Sequence, residues 1–307
     1  MNHSESTLRE WEDKMKLEEM NSKIEEILKE LTLEEKVKMI HGDALFYSGA
    51  VERLSIPAVN MSDGPMGVRQ EFPKASWVPV GNSDDFVTYC PSNSAIAATW
   101  NKDLAYRAGV VMGQEARGRG KDIILGPGIN IKRIPANGRN FEYMSEDPYL
   151  ISQLVVPLIK GIQESDVAAC VKHFALNNKE TNRKNSDSRV SERAAREIYL
   201  KAFEMIIKAE NPWAVMSSYN IINGYRASEN KDLLTGILRD EWGYTGMVTT
   251  DWWTCGEHYK ETKAGNDLKM GNGYPKRVKE AYEKGAISRD EIEICVKRIL
   301  NFILKLD

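Results

Sequence analysis

The chain has 307 residues, 42% of them hydrophobic, and a formal net charge of −3. That length supports one large core or two small ones, and a single α/β barrel needs roughly 250 residues. Basic residues are spread among acidic ones, so no nucleic acid and no anionic membrane is expected as partner.

The N-terminus, Met1 to Lys16, is polar and charged, without the apolar stretch of an export signal. No uninterrupted apolar run approaches the ~18 residues of a membrane span, and a cytoplasmic protein is expected. Residues 1–20 read as a charged helical arm and 21–307 as the folded domain. Thr32 and Glu35 stand at capping-box spacing, and Val37, Met39 and Ile40 give the short helix behind them its apolar positions.

From there short β-type segments alternate with longer amphipathic ones. The strand candidates are Ala58–Ser62, Asp122–Gly126, Val167–Phe174, Trp213–Tyr219, Gly246–Asp251 and, more weakly, Asn266–Met270. The helix candidates are Asp103–Arg117, Tyr149–Glu164, Ser191–Ala209, Lys231–Trp242, Pro275–Gly285 and Asp290–Leu306. The last follows a second box, Ser288 with Glu291, and carries Ile292, Val296, Ile299, Leu300 and Ile303 at helical spacing. Alternation of this kind predicts a parallel sheet with crossover helices; a closed barrel and an open doubly wound sheet share it.

Polar residues crowd the C-terminal ends of these strands: Asp63, Lys172 and His173, Ser217 to Asn220, and Asp251 with Trp252 and Trp253. In a barrel they would meet at one mouth. Each alone has a bland explanation, since Asp-Gly-Pro is a common turn and a lone His is usually structural; their shared placement is the signal. Carboxylates, Lys, His and Arg suit vicinal hydroxyls, and tryptophan faces suit the C–H surface of a sugar ring. An Asp that ends a buried strand beside cations stays ionised and is able to attack an anomeric carbon.

Other chemistries fit poorly. Gly126-Pro127-Gly128 has Ile131 where a dinucleotide motif needs glycine, and no phosphate-loop or G-x-S-x-G motif occurs. The four cysteines are far apart and the four histidines are not at metal spacing. No cofactor and no metal is expected.

Six segments carry a family resemblance. They are Ser62–Arg69, Gly138–Tyr149, Lys172–Arg183, Val190–Arg193, Met216–Asn220 and Thr250–Trp252. In that order, from about Leu31 to the C-terminus, the chain resembles the barrel domain of glycoside hydrolase family 3, with the flavour of its β-glucosidase branch. The resemblance implies a (β/α)8 TIM-like barrel, with irregular or missing first strands, and retaining hydrolysis of terminal β-D-glucosides. It implies Asp251 as nucleophile and Asp63 as the acid that binds distal sugar hydroxyls. Lys172 and His173 match the pair that holds adjacent hydroxyls; Arg139 and Arg183 match sugar-contacting or carboxylate-orienting arginines. Met216 is implied beneath the sugar, Tyr219 beside the nucleophile, and Trp252 as a wall of the aglycone side. Glu146 is expected to orient the site.

The sequence departs from the pattern in places. Thr250 stands where Ser is usual, which keeps a hydroxyl, and Lys269 stands where an acid is frequent. Gln70–Asp85 follows no family pattern but brings Trp77 towards the mouth. The stretch Asn185–Arg189 lacks the His that the β-N-acetylglucosaminidase branch keeps there.

A retaining glycosidase needs a second carboxyl group ~5 Å from the nucleophile to protonate the leaving oxygen. In the β-glucosidase branch, the resemblance implies, this is a Glu on an α/β sandwich domain that follows the barrel. That domain is expected to be absent here, so another domain or chain would supply the acid. The alternative is a carbohydrate-binding or structural subunit with little turnover.

Overall fold

The computed structural model describes residues 3–306; side chains are described from Met15 onward, Asn272 excepted. A helix, His3–Glu30, opens the fold. It runs through the expected arm and beyond it, and buries Ile24 and Leu28. Both predicted capping boxes form, at Thr32/Glu35 and Ser288/Glu291, and each ties two otherwise unpaired backbone N–H groups at a helix start.

Among the described residues ten strands follow in chain order: β1 (His41–Gly42), β2 (Met61–Asp63), β3 (Ile123–Leu125), β4 (Ala168–Phe174), β5 (Asp187–Ser188), β6 (Ala214–Ser217), β7 (Ile221–Ile222), β8 (Tyr225–Arg226), β9 (Met247–Thr250) and β10 (Lys269–Asn272). Strands β2-β3-β4-β6-β9 form one parallel sheet in that order, and β10 pairs with β1. A parallel bridge between Thr249 and Leu268 links β9 towards β10. On the far side the chain turns back after β1: Gly42 bridges Ser48 and Tyr47 bridges Asn60, both antiparallel. The ring is thus completed by an irregular hairpin segment in place of a regular second strand, the irregularity the sequence led us to expect. Among the alternatives of closed barrel and open sheet, the barrel is the fold.

Strand side chains divide with a period of two. Ile124, Ala169, Val171, Val215 and Val248 pack outward against the helices. Ile123, Leu125, Ala168, Cys170, Ala214, Met216 and Met247 belong to the other core cluster. Burial on both faces is why these strands read as continuous apolar runs. Helices Lys102–Gly118 and Pro148–Gln163 approach so closely that a Cβ on Gly109 would lie 2.1 Å from the Leu158 carbonyl oxygen, so only glycine fits there.

Strands β3, β4, β6 and β9 are shorter than predicted by one or two residues at an end, whereas β2 and β10 begin three residues later than predicted and run one and two residues further towards the site loops. The predicted helix over 191–209 is interrupted by a wider π-type turn at Ala195–Tyr199, and Asp232–Glu241 is wound the same way. Helices Asn93–Ala98 and His258–Ala264 were not foreseen; both are too short for a clear period. The polar stretch after β4 contributes β5 to a small sheet with β7 and β8.

Candidate active site

Parallel strands present their C-terminal ends on one side, and there the chain forms a cleft of about 720 Å³. Nine of the predicted residues line it: Asp63, Arg139, Lys172, His173, Arg183, Met216, Tyr219, Asp251 and Trp252. Asp63 ends β2, Lys172 and His173 sit near the end of β4, Met216 is in β6, and Asp251 follows β9 directly.

Local sequence explains several placements. Asp63 heads a turn that only glycine allows, because Gly64 has φ +128° and a Cβ there would lie 1.8 Å from the Gly67 carbonyl oxygen. The Gly64 N–H donates to Asp63 Oδ1 at 3.0 Å. Thr250 Oγ1 accepts from the Met270 N–H at 3.0 Å, so the hydroxyl before Asp251 ties β9 to β10.

Charges interlock on the cleft floor. Lys172 Nζ is 3.1 Å from Glu142 and 3.4 Å from Asp63. Arg139 Nε is 2.7 Å from Glu142, and its Nη1 is 3.6 Å from Glu180. Arg183 pairs with Glu180 at 3.1 Å and lies over the Tyr219 ring at 4.7 Å. Burial works against the charges of Lys172 and Glu142, and their partners outweigh it: Lys172 is raised by Glu142 and Asp63, and Glu142 is held down at about 2 by Lys172 and Arg139.

His173 is neutral. Burial, then Arg139, Lys172 and Arg183, hold its ionisation far below the usual range. Its Nε2 accepts from Arg139 Nη2 at 3.0 Å, which leaves the proton on Nδ1, 3.1 Å from the Tyr143 hydroxyl. The 3.8 Å approach of His173 Nε2 to Asp251 is therefore not an ion pair.

Asp251 is buried, 8% exposed. Its Oδ1 accepts from the Trp252 N–H at 2.8 Å, while Oδ2 has no partner. Burial raises its ionisation above the ordinary carboxylate value, opposed by that N–H and by Arg139, Lys172 and Arg183. The Tyr219 hydroxyl donates to the Trp252 carbonyl at 2.6 Å; burial and Asp251 push its own ionisation up, so it remains a neutral phenol.

Sequence reasoning missed Glu142, Tyr143 and Glu180. Glu146, expected to orient the site, is exposed and does not line the cleft; Glu142 has that position. The Arg139–Glu142 spacing of three, one turn of helix, was the signal that could have identified it. Above the charged floor lies an aromatic rim. Phe46 is 5.4 Å from Trp77 and 5.6 Å from Trp252, and Trp77 is 5.9 Å from Trp253. Among the described residues no group of His, Cys, Asp and Glu is arranged to hold a metal.

The fold and cleft define a (β/α)8 barrel with the carboxylate of Asp251 set near cationic side chains at the mouth. A sequence model described as the glycosyl hydrolase family 3 N terminal domain matches residues 33–302, and the chain belongs to that family. It is 46% identical over 276 residues to Beta-glucosidase A of Butyrivibrio fibrisolvens, covering 88% of this chain and 32% of that protein. It is 39% identical to an Exo-alpha-(1->6)-L-arabinopyranosidase of Bifidobacterium longum, covering 91% of this chain and 37% of that one. The structure of beta-glucosidase 3B from Thermotoga neapolitana in complex with glucose superposes with a TM-score of 0.86 at 39% identity, over 92% of this chain and 43% of that one. The chain thus spans about a third of the length of these curated relatives.

Proposed function

We propose that this chain holds the terminal sugar of a β-D-glucoside in the cleft and that Asp251 attacks its anomeric carbon, in hydrolysis with retention. The observation that carries this reading is Asp251 Oδ2: buried and without a hydrogen-bond partner, on a residue that lines the cleft, while Oδ1 is fixed by a backbone N–H. In the proposed step Oδ2 bonds to the anomeric carbon as the bond to the leaving oxygen breaks. Water then displaces the carboxylate and restores Asp251. Asp63, Arg139, Lys172 and Arg183 would bind hydroxyls, with His173 holding Arg139 in place. Met216 would lie beneath the ring and Trp252 beside the leaving group.

The acid that protonates the leaving oxygen is proposed to come from another domain or chain. Besides Asp251, the carboxylates that line the cleft are Asp63 and Glu142. Glu142, held at about 2, has no proton to give near neutral pH, and Asp63 is engaged by Lys172 and by Arg69 at 3.3 Å. The same observation favours the second reading, a sugar-binding subunit with little turnover alone. A division into a helical arm over 1–20 and a barrel from 21 onward remains part of the proposal. So does a cytoplasmic location, supported by four unpaired cysteines, of which Cys255 is exposed. Among the described residues no helix is long and apolar enough to cross a membrane.

The test is incubation with a 2-deoxy-2-fluoro-β-glucoside bearing a good leaving group, followed by mass spectrometry. An adduct on Asp251 is expected, and an unlabelled protein would overturn the reading. The matching L-arabinopyranoside probe separates glucose from the sugar that names the Bifidobacterium relative.

A further inference from the structure

We propose that the loop from Gln70 to Asp85, through Trp77, makes this site selective for planar aromatic aglycones over saccharide ones. The proposal rests on the reading of the Asp251 cleft as a β-glucoside site, and it assigns a role to a segment that the family pattern leaves unexplained.

The loop is held at both ends. The Glu71 N–H donates to Asp85 Oδ2 at 2.8 Å, Arg119 pairs with Asp85 at 2.5 Å, and Lys121 pairs with Glu71 at 2.8 Å. Between these anchors the Leu45 N–H donates to the Lys74 carbonyl at 3.0 Å. Trp77 is carried to the cleft, where it stands edge-on to Phe46, Phe72 and Trp253 with 47% of its surface still exposed. Trp253 is fixed in turn: it has φ +53°, its N–H donates to the Met270 carbonyl at 3.1 Å, and its indole lies against Gly271, where a Cβ would come within 2.6 Å. A held ring that remains half exposed inside a cleft is positioned for a ligand.

The choice between aryl and sugar follows from the polar groups of the rim. Arg69 is turned to Asp63 and lies over Phe72. Gln70 donates to the Asp85 carbonyl at 3.4 Å, and Thr88 donates to Glu115. A second sugar would meet ring surface at Phe46, Phe72, Trp77 and Trp253, with Arg69, Gln70 and Thr88 already engaged by Asp63, Asp85 and Glu115, and so would gain few hydrogen bonds beyond those water gives it. An aromatic aglycone brings ring surface and few hydroxyls.

Three ligands with a sulfur in place of the glycosidic oxygen resist hydrolysis and report binding alone: methyl and phenyl 1-thio-β-D-glucosides and thiocellobiose. Calorimetry on the 307-residue chain should show phenyl binding roughly 3- to 10-fold tighter than methyl, as an aromatic contact provides, with thiocellobiose gaining nothing over methyl. Trp77→Ala should remove most of the phenyl advantage, lowering phenyl affinity severalfold more than methyl affinity, and Trp77→Phe should restore part of it. Equal losses for all three ligands would mean that Trp77 only supports the fold, and would overturn the proposal. So would thiocellobiose binding as tightly as the phenyl ligand. If the methyl ligand binds and the fluoroglucoside labels Asp251 but phenyl gains nothing, the aglycone proposal alone fails. If neither occurs, the glucoside reading itself fails.

Discussion

At the scale of single residues, burial raises and nearby cations lower both Asp251 and Glu142, but burial prevails at Asp251 and charge at Glu142, so their effects on stability have opposite signs. Burial raises Asp251 above its unfolded value, so the folded state holds that proton more tightly. Its contribution therefore falls as pH rises from the ordinary carboxylate range through the raised value. Asp251→Asn should abolish labelling and also raise the melting temperature, with a larger gain at pH 7 than near pH 4. Thermal melts of both proteins at the two pH values check this; a loss of stability at pH 7 would contradict it. Glu142, held at about 2, contributes stability that is fully present above the ordinary carboxylate value and is lost as pH falls towards 2. Glu142→Gln leaves Arg139 and Lys172 buried without that partner, a change that costs on the order of 3–5 kcal/mol in denaturant unfolding. Asp251 was legible in the sequence because strand and motif both ended on it. Glu142 was not singled out, because its value depends on Lys172, thirty positions away in the chain, closing on it in space.

At the scale of elements, the joint between β9 and β10 depends on a buried charge cluster. Asp267 accepts from Arg239 at 2.7 Å, Arg298 at 3.0 Å and the Val248 N–H at 2.7 Å. Asp267→Ala should destabilise the fold by about 3–5 kcal/mol, because it strands two guanidinium groups beside β9. Denaturant midpoints measure that. The turn after β2 makes a separate prediction. Gly64→Ala meets both a positive φ and the Gly67 carbonyl, so Asp63 must shift. A backbone cost of about 1–3 kcal/mol is expected, with weaker glucose binding in calorimetry. Lys269, which departs from the family pattern, has a clear setting: it is 2.5 Å from Glu261 and donates to the Thr254 carbonyl at 3.1 Å, and so braces the loop that follows Asp251. Its partner Glu261 stands on a helix the periodicity did not disclose, since seven residues make only two turns.

At the scale of the whole molecule, the cleft has the proposed nucleophile and a charged floor, but among the described residues no lining carboxyl is free to protonate a leaving group. A general acid is worth roughly 10²–10⁴-fold in rate. The chain alone should therefore turn over alkyl glucosides poorly and depend steeply on the acidity of the leaving group across a series of aryl glucosides. A flat dependence in steady-state kinetics would place the acid within this chain after all.

The sequence by itself determined the alternation of strand and helix, the two capped helix starts, and the residues that gather at the strand ends. Those are local or periodic signals, carried by burial, hydrogen bonding of the backbone and ordered motifs. Only the tertiary structure decided that the sheet closes, that an irregular hairpin completes the ring, and that Glu142 rather than Glu146 braces Arg139 and Lys172. It also decided that the loop bearing Trp77 meets Trp253. Each of these depends on contacts between segments far apart in the chain, whose energies exist only once the barrel brings them together.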